Sequence, residues 1–569
     1  MAEPNTKGSK ALQELQENVR EGIRYRTLYG QSKLWRVYKN MYRGFWEKGV
    51  VPVNIMFSIA RSLVPQVYFR NFRVSVMPTM PGYGMHALVL ERIDNYLIKE
   101  TGIKAEMKSN VLDCFFSGVG PGILGYDSEY GFNPSFASQE FEDSSLSTFN
   151  KKGERIEYNL NVKPGMPWYL RCNPSDFVVP WGLSNWRSAP WFAFRKMRRL
   201  KETKEDVKLK NTKNLKGPYR SSMDGSKDGN PDMPSSSQFP SVNKEEWVEL
   251  WEYHDQRSGR VYTFTLDHPQ FLRDEIDYLQ IEGLPARVLG FNEDPDYFWW
   301  IPDARIVKPR QDEMNDIRTM AKKHRRVAIL KLLYDKGMNK DELAKLMDDD
   351  VKAAVGLDVG VGGDIRKAVA LLQSHVPPDF TIAAREVRED VREEMGFSRN
   401  QAGAFEAPSG RRTAHEVETV RAASMLRIDE RKDALADHLE SIIRSYNQMI
   451  FSNWTSRRVV DVVGPDGARY WVKFSGKEIK GEFHYKINPE ESQPQDQRTI
   501  RAQMFEFMTM ASKTPGADMK YLMRTFASKF DWLDPKMAFP GEGPGRSPER
   551  PMEFMEFVGK QGQNFPNMI

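Results

Sequence analysis

The chain has 569 residues, enough for three or four ordinary domains or for one elongated subunit of a larger assembly, which excludes a small disulfide-stapled scaffold. Its 83 basic and 78 acidic residues give a net charge of +5, so bulk charge does not indicate nucleic-acid binding and any basic surface must be local. The two cysteines, Cys114 and Cys172, give neither a disulfide framework nor a zinc-binding pair, and the sequence contains neither a long apolar run nor a secretory signal. We therefore expect no metal, no cofactor and no membrane segment, and synthesis in a reducing cytosol.

The first third of the chain predicts helix, then strand, then helix. Apolar residues recur at helical spacing over residues 11–48, and the apolar helix that follows is expected to stop near Pro65. Alternating apolar residues predict a strand over residues 72–78. Helical spacing returns over residues 85–116, with a break near Gly102.

The middle third predicts β-structure and one irregular insertion. Two short alternating runs, residues 247–251 and 261–265, are joined by a turn at Ser258-Gly259 and read as a hairpin. Residues 201–246 are rich in Lys, Asn, Ser, Gly, Pro and Asp and bury too little apolar surface to offset the entropy of ordering. We expect a mobile insertion there.

The last third is mainly helical. A helix of about 20 residues is predicted from Arg310 and a second one over residues 380–395, and their similar lengths suggest antiparallel partners. The string Thr413-Ala414-His415-Glu416 is a capping box that opens a long helix ending near Trp454.

The remaining residues predict short strands and then helix. The strands are expected over residues 459–463, 468–474 and 483–487, with helices from about Gln497. The tail after Phe539 is rich in Gly and Pro, and we expect it to be poorly ordered.

Sequence motifs for catalysis are incomplete. Residues 475–478 lack the first glycine and the hydroxyl of a Walker A loop. The run from Gly118 to Gly122 follows a helix, whereas a dinucleotide loop follows a strand, so it reads as a helix-terminating turn. His415-Glu416 starts a zincin-like motif, but Thr419 replaces the second ligand. We expect a protein that is not an enzyme.

Most of the chain carries recognisable blocks in a fixed order: WEKGVVPVNIMFSIARSLVPQVYFRNFRVSV, WVELWEYHDQRSGRVYTFT, PRQDEMNDIRTMAKKHRR, and MGFSRNQAG followed by RRTAHEVETVRAAS. Together these blocks resemble the portal proteins, or head-to-tail connectors, of tailed bacteriophages. The resemblance implies an α+β, mainly helical subunit with wing, stem, clip and crown regions, which assembles, usually as twelve copies, into a ring around a DNA-conducting channel.

The resemblance also implies a division of the chain. It assigns 1–308 to the N-terminal part and wing, 309–331 to the first stem helix, 332–376 to the clip, 377–395 to the second stem helix, 396–411 to the tunnel loop, 412–455 to a long wing helix, 456–492 to wing strands and 493–569 to the crown and C-terminal tail. The insertion 201–246 has no counterpart that we can place.

The function implied is that of a virion protein at the capsid vertex where head and tail join, made in the host cytoplasm. Such a ring nucleates head assembly with the major capsid protein, docks the large terminase subunit, conducts double-stranded DNA without reading its sequence, and binds head–tail adaptor proteins. Packaging energy is expected to come from a partner, because the chain shows no hydrolysis motif.

Two groups of residues are candidates for contact with DNA. The tunnel-loop candidates are Arg399, Asn400, Gln401, Phe405, Arg411 and Arg412, and the stem basic cluster is Arg318, Lys322, Lys323, Arg325 and Arg326. Residues 377–412 hold seven acids and six bases, a balance that suits weak, centred binding of DNA but equally suits a solvated helix face. The stem cluster fits DNA or an acidic neighbouring subunit, with solvation as the alternative, and Phe405 suits gripping of DNA or packing against a neighbouring loop.

Two other functional classes stay open from the sequence. A monomeric DNA-processing enzyme would need a metal-binding acidic cluster, for which residues 348–350 are the candidates, although consecutive side chains diverge around a helix. A membrane-surface scaffold would need a basic amphipathic helix. The mass of the particle in solution separates these alternatives from a ring.

Overall fold

The computed structural model describes most of the chain but not all of it. The described residues are 6–68, 72–129, 159–163, 165–206, 208–217, 219–220, 246–279, 281–327, 331–334, 369–372, 379–396, 414–454, 458–463, 469–489 and 551–564. Within them the chain is a mixed α+β protein, as the sequence predicted.

The described helices are α1 (Thr6–Leu28), α2 (Ser32–Arg43), α3 (Ile55–Val67), α4 (Gly84–Glu100), α5 (Ile103–Ser117), α6 (Leu200–Glu205), α7 (Asp303–Val327), α8 (Asp379–Met395), α9 (Ala414–Asn453) and α10 (Phe554–Asn564). The described strands are β1 (Phe72–Pro78), β2 (Val119–Tyr126), β3 (Pro167–Arg171), β4 (Phe177–Val178), β5 (Trp191–Arg199), β6 (Tyr219–Arg220), β7 (Glu246–Asp255), β8 (Arg260–Phe264), β9 (Arg273–Ile276), β10 (Ala286–Gly290), β11 (Lys331–Tyr334), β12 (Val369–Leu372), β13 (Arg458–Val463), β14 (Arg469–Phe474), β15 (Phe483–Pro489) and β16 (Met552–Glu553).

The chain divides into two compact units. Unit 1 comprises Met1–Arg36, Ala60–Asp303 and Met425–Ile569, and unit 2 comprises Val37–Ile59 and Ala304–Ser424. Four of the five described sheets belong to unit 1, and the β11–β12 pair belongs to unit 2.

The largest sheet of unit 1 has the strand order β4-β5-β7-β8-β9, and β6 also pairs with β7. The predicted hairpin is its β7–β8 pair, in which Trp251 stands opposite Phe264 and Asp255 opposite Arg260. Helix α1 packs on this sheet, since its apolar residues share a buried cluster with residues of β4, β5, β7 and β8: Leu12, Val19, Val178, Trp191, Ala193, Trp251, Tyr253 and Phe264. Burial of aromatic side chains stabilises this layer through the large apolar area that each removes from water.

The other sheets of unit 1 are small. Strands β10-β2-β3 and β1-β15 pair antiparallel, whereas β16 joins the β13-β14 hairpin in parallel to β14. The outer edge of β1 is covered by α4, because the side-chain amide of Asn95 accepts from Val74 N at 3.1 Å and donates to Val74 O at 2.9 Å. The Asn95 amide thus satisfies the backbone N–H and C=O of Val74, as a neighbouring strand would. An edge strand with unpaired backbone groups can otherwise pair with another chain and aggregate.

Gly118 ends α5 as predicted, but the rest of the glycine run does not form a turn. The φ of Gly118 is +80°, and a Cβ there would meet the Trp300 carbonyl oxygen, so only glycine fits. Strand β2 begins at the next residue and is buried throughout. The prediction of a turn up to Gly122 was therefore wrong, because tertiary pairing with β3 and β10 outweighs the poor strand propensity of glycine.

The insertion predicted over residues 201–246 is partly structured. Helix α6 lies in it, and Leu215 shares a buried apolar cluster with Leu200, Val248, Leu250 and Leu272. The buried side chains of Arg198 and Asp206 form an ion pair at 2.5 Å. In residues 201–206 and 208–217 a few apolar and paired residues thus anchor a polar segment. Residues 221–245 lie outside the described part, and the mobility of the insertion stays a prediction.

Two further boundaries differ from prediction. Helix α3 continues through Pro65 to Val67, because Pro65 removes only its own hydrogen bond and the next turn still closes through Tyr68 N and Val64 O at 2.9 Å. The tail expected to be poorly ordered contains β16 and α10, whose Phe554 and Phe557 are buried. Two aromatic residues three positions apart were enough to anchor this segment.

Candidate nucleic-acid interface

The candidate interface is built on two helices of unit 2, α7 and α8, called here the helix pair. The guanidinium of Arg310 donates to Glu394 Oε1 at 3.1 Å and lies 3.6 Å from Asp390 Oδ2. At the other end, the rings of His324 and Phe380 have centroids 5.2 Å apart. Early residues of α7 thus contact late residues of α8, and late residues contact early ones. The helices run antiparallel, which confirms the predicted arrangement.

The start of α7 differs from the sequence prediction. The helix begins at Asp303, so Pro309 lies inside it. The Asp303 carboxylate at the positive end of the helix dipole favours this earlier start. Further along, hydrogen bonds from Arg310 to Glu394 and to Glu313 raise the pKa of Arg310, which keeps its positive charge at the junction between the two helices.

A short antiparallel ladder is described between the two helices in the sequence. Strand β11 starts four residues after α7, strand β12 ends seven residues before α8, and the two pair antiparallel from Lys331↔Leu372 to Tyr334↔Val369. In sequence order, this short ladder lies between the two helices of the helix pair. The residues between the two strands, where most of the predicted clip falls, lie outside the described part.

The stem basic cluster lies on the last turns of α7. Arg318, Lys322 and Arg325 have the i, i+4, i+7 spacing of one helix face, and Lys323 points to another side. Lys322, Lys323 and Arg325 are exposed, Arg318 is half-buried, and none of the four forms an ion pair within the described residues. The side chain of Arg326 lies outside the described part. The structure therefore places four of the five predicted residues on the end of α7.

Helix α8 adds a second basic stripe. Arg385, Arg388 and Arg392 are spaced i, i+3, i+7, and the part of the chain that the structure describes contains no ion-pair partner for them. The apolar face of the same helix is buried at Ala384, Val387, Val391 and Met395. Packing of the apolar face thus fixes the orientation of α8 about its own axis, and the three arginines lie on the adjacent face of the helix.

The predicted tunnel loop is not placed by the structure. The residues Arg399, Asn400, Gln401, Phe405, Arg411 and Arg412 lie outside the described part of the chain, as does the Thr413 of the predicted capping box. Helix α9 begins at Ala414, the residue after that threonine, and runs for 40 residues to Asn453. The predicted long helix is present.

Sequence reasoning missed a polar clamp on α7, formed by Gln311, Asn315 and Thr319. Gln311 Oε1 accepts from Ile55 N at 2.8 Å and from Met56 N at 3.1 Å, while its Nε2 donates to Val53 O at 2.8 Å. Asn315 Oδ1 accepts from Val53 N at 3.2 Å, and Thr319 Oγ1 accepts from Val51 N at 3.0 Å. The clamp holds the extended residues 51–56 along α7.

The signal for this clamp was present in the sequence. The three polar residues are spaced four apart and continue the buried stripe of Ala304, Val307 and Met314. Polar side chains on an apolar stripe must find partners, and amides can both donate and accept. What the sequence did not show was which backbone segment supplies the partners, because it lies more than 250 residues earlier.

The described titratable groups of unit 1 include one buried charge cluster on the largest sheet. His254 Nε2 lies 3.1 Å from Glu252 Oε1, and Nδ1 lies 3.8 Å from Asp277 Oδ2. Burial alone would lower the pKa of His254, but the two carboxylates raise it by more, and the pKa values of Glu252 and Asp277 are lowered despite burial. Lys196 donates to Glu252 Oε2 at 2.9 Å. The cluster reads as a structural ion network.

This network predicts a pH dependence of stability. Folding raises the pKa of His254, so the protonated imidazole stabilises the folded protein. This stabilisation is complete at pH values below the unfolded pKa near 6.5 and is lost as the pH rises through the folded pKa. We expect the urea midpoint of the wild type to fall more between pH 6 and pH 9 than that of His254→Gln. If the urea midpoints of the two proteins fall by the same amount between pH 6 and pH 9, His254 is not protonated in the folded state.

Among the residues that the structure describes, no group of three or more His, Cys, Asp or Glu side chains is arranged to hold a metal ion. No helix in that part of the chain is long and apolar enough to cross a membrane. No protein-family model matches the sequence, and no curated protein matches it either.

Proposed function

We propose that this chain is the subunit of a phage portal, a ring of about twelve copies at one capsid vertex. The observation that carries the proposal is the helix pair: two antiparallel helices with the β11–β12 ladder between them in the sequence and the 40-residue α9 after them. This order is the one that the portal-like sequence blocks imply for stem, clip and wing helix. The ring would nucleate head assembly with the major capsid protein, dock the large terminase subunit and bind head–tail adaptors.

The charges on the helix pair support a role in conducting double-stranded DNA. Arg318, Lys322, Lys323 and Arg325 on α7 join the arginine stripe of α8 as cations without an ion-pair partner among the described residues. Flexible cations attract phosphates without reading bases, and acids on the same helices, including Glu386, keep the attraction modest. A channel through which DNA must slide needs this weak, sequence-independent contact.

Removing the basic face of α7 tests this role. The triple variant Arg318→Gln, Lys322→Gln, Arg325→Gln is expected to bind duplex DNA about tenfold more weakly at low salt, by the same factor on two unrelated sequences, with a shallower salt dependence. Fluorescence anisotropy with labelled duplexes measures all three quantities.

A matched control removes three charges elsewhere. Lys201, Lys213 and Lys216 are exposed on unit 1, and their replacement by Gln changes net charge by the same amount. We expect the control to bind DNA nearly as well as the wild type. If both triple variants weaken binding equally, DNA responds only to net charge and the helix pair is not its contact surface.

A further inference from the structure

Unit 1 carries an exposed group of aromatic side chains formed by Tyr29, Trp181 and Tyr297, called here the aromatic patch. Their exposed fractions are 41%, 47% and 38%. The rings of Tyr29 and Tyr297 have centroids 4.6 Å apart at 30°, and those of Tyr29 and Trp181 lie 5.8 Å apart, edge to face. Three large aromatic residues from three separate parts of the chain therefore form one contiguous surface.

The patch is held on a rigid base. The buried Tyr25 touches the rings of both Tyr29 and Trp181, at 5.3 and 5.6 Å, and its hydroxyl donates to Leu183 O at 2.7 Å. Trp181 stands in a turn closed by Leu183 N and Pro180 O at 3.3 Å, in which Gly182 has a φ of +75°. A surface fixed in this way loses little entropy on binding.

Tyr297 is fixed in a second turn that is acidic. Asp294 Oδ1 accepts from Tyr297 N at 3.2 Å and from Asp296 N at 3.0 Å. Glu293 and Asp296 are exposed beside it. Three acidic residues, Glu293, Asp294 and Asp296, called here the acidic rim, thus lie within four positions of Tyr297 in the sequence.

The negative charge of the rim favours one kind of ligand for the aromatic patch over another. Aromatic surfaces also stack nucleobases, but three carboxylates repel the phosphates that accompany every base. An arginine guanidinium suits both features, since it stacks on aromatic faces and pairs with carboxylates.

We propose that the aromatic patch and its acidic rim dock an arginine-rich segment of a partner protein. The proposal goes beyond the portal function and does not depend on the ring, because every residue that carries it belongs to unit 1. Arginine side chains stack on the exposed rings of Trp181 and Tyr297 while the rim carboxylates pair with their guanidinium groups.

A labelled peptide tests the docking surface directly. The probe is a fluorescein-labelled peptide of alternating Arg and Gly with three arginines, titrated with the full chain and followed by anisotropy, beside a peptide with Glu in place of Arg. We expect the Arg peptide alone to bind, and Trp181→Ala to raise its Kd about fivefold. The double variant Glu293→Gln, Asp296→Asn is expected to weaken binding and reduce its salt dependence.

Trp471 provides the matched control. It is a second exposed tryptophan, 48% exposed on β14, so Trp471→Ala removes an equal aromatic surface elsewhere. We expect Trp471→Ala to leave the Kd unchanged. Equal effects of the two tryptophan variants, equal binding of the Glu peptide, or no binding of the Arg peptide would each overturn the proposal.

The same variants distinguish peptide docking from two other uses of the patch, contact between copies of the chain and contact with nucleic acid. If Trp181→Ala changes the mass of the particle and leaves peptide binding intact, the patch is a contact between copies and the proposal fails. If Trp181→Ala weakens DNA binding while the peptide is unaffected, the patch contacts nucleic acid and the proposal likewise fails. Circular dichroism of each variant, with Trp181→Phe as a conservative second change that retains binding, excludes misfolding as the cause.

Discussion

Replacing Arg431 with methionine is expected to lower the free energy of unfolding of unit 1 by about 3–5 kcal/mol. Both terminal nitrogens of Arg431 donate to the carboxylate of Asp303, at 2.9 and 2.8 Å, and Asp303 is only 1% exposed. Methionine keeps much of the side-chain volume but leaves a buried carboxylate whose remaining described partner is Asn292. The cost is that of an uncompensated buried charge.

Tryptophan fluorescence during urea unfolding measures this effect, because of the 13 tryptophans only Trp46 falls within the bounds of unit 2. Arg444→Ala on the same helix is the control, since its ion pair with Glu440 is largely exposed and should contribute less than about 1 kcal/mol. Comparable losses for the two variants would show that the Arg431–Asp303 pair behaves as a surface pair.

Replacing Gln311 with methionine is expected to destabilise the clamped segment 51–56 by about 2–3 kcal/mol. Met56 N would lose its acceptor, Gln311 Oε1, and a buried donor without a partner costs about 1–3 kcal/mol. Ile55 N would keep its bond to Val53 O at 2.8 Å, whereas Val53 O would lose the donor Nε2. The loss therefore falls mainly on the Met56 amide and on the register of the segment.

Hydrogen exchange resolves this prediction residue by residue. The Met56 amide is expected to exchange about 30-fold faster in Gln311→Met, because about 2 kcal/mol corresponds to that factor. Thr319→Val is the control, since it removes only the acceptor of Val51 N and should leave Met56 protected. Unchanged exchange at Met56 in Gln311→Met would mean that the clamp does not hold the segment in solution.

The sequence predicted best where one periodic signal dominates. The β7–β8 hairpin, the two helices of the helix pair and the long α9 follow from alternation and helical spacing. The break at Gly102 also follows, as its φ of +63° needs a glycine. Each of these elements is determined by residues that are close together in the sequence, so its pattern could be recognised there.

The errors occurred where distant residues decide the structure. Strand β2 is glycine-rich and was interpreted as a turn, but pairing on both edges and packing under Tyr169 and Trp168 make it a buried strand. Residues 201–206, 208–217 and 551–564 have a composition typical of irregular chain, yet a few apolar residues pack them against sheets. Composition predicts average behaviour and misses single anchoring residues.

The candidate site was predictable in its charges and not in its geometry. The basic run on α7 is visible in the sequence because consecutive bases are rare, and the placement of Arg318, Lys322 and Arg325 on one helix face follows from their spacing. The polar clamp and the Asp303–Arg431 pair were not predicted, since each joins residues more than 100 positions apart. The same holds for the aromatic patch, which unites three distant parts of the chain.

The central claim, that many copies surround a channel, is tested most directly by the particle itself. Mass photometry of the purified chain together with rotationally averaged negative-stain images should show a ring of about twelve times 65.8 kDa with a central opening wide enough for duplex DNA. A compact particle of 65.8 kDa with no opening would contradict the proposed function.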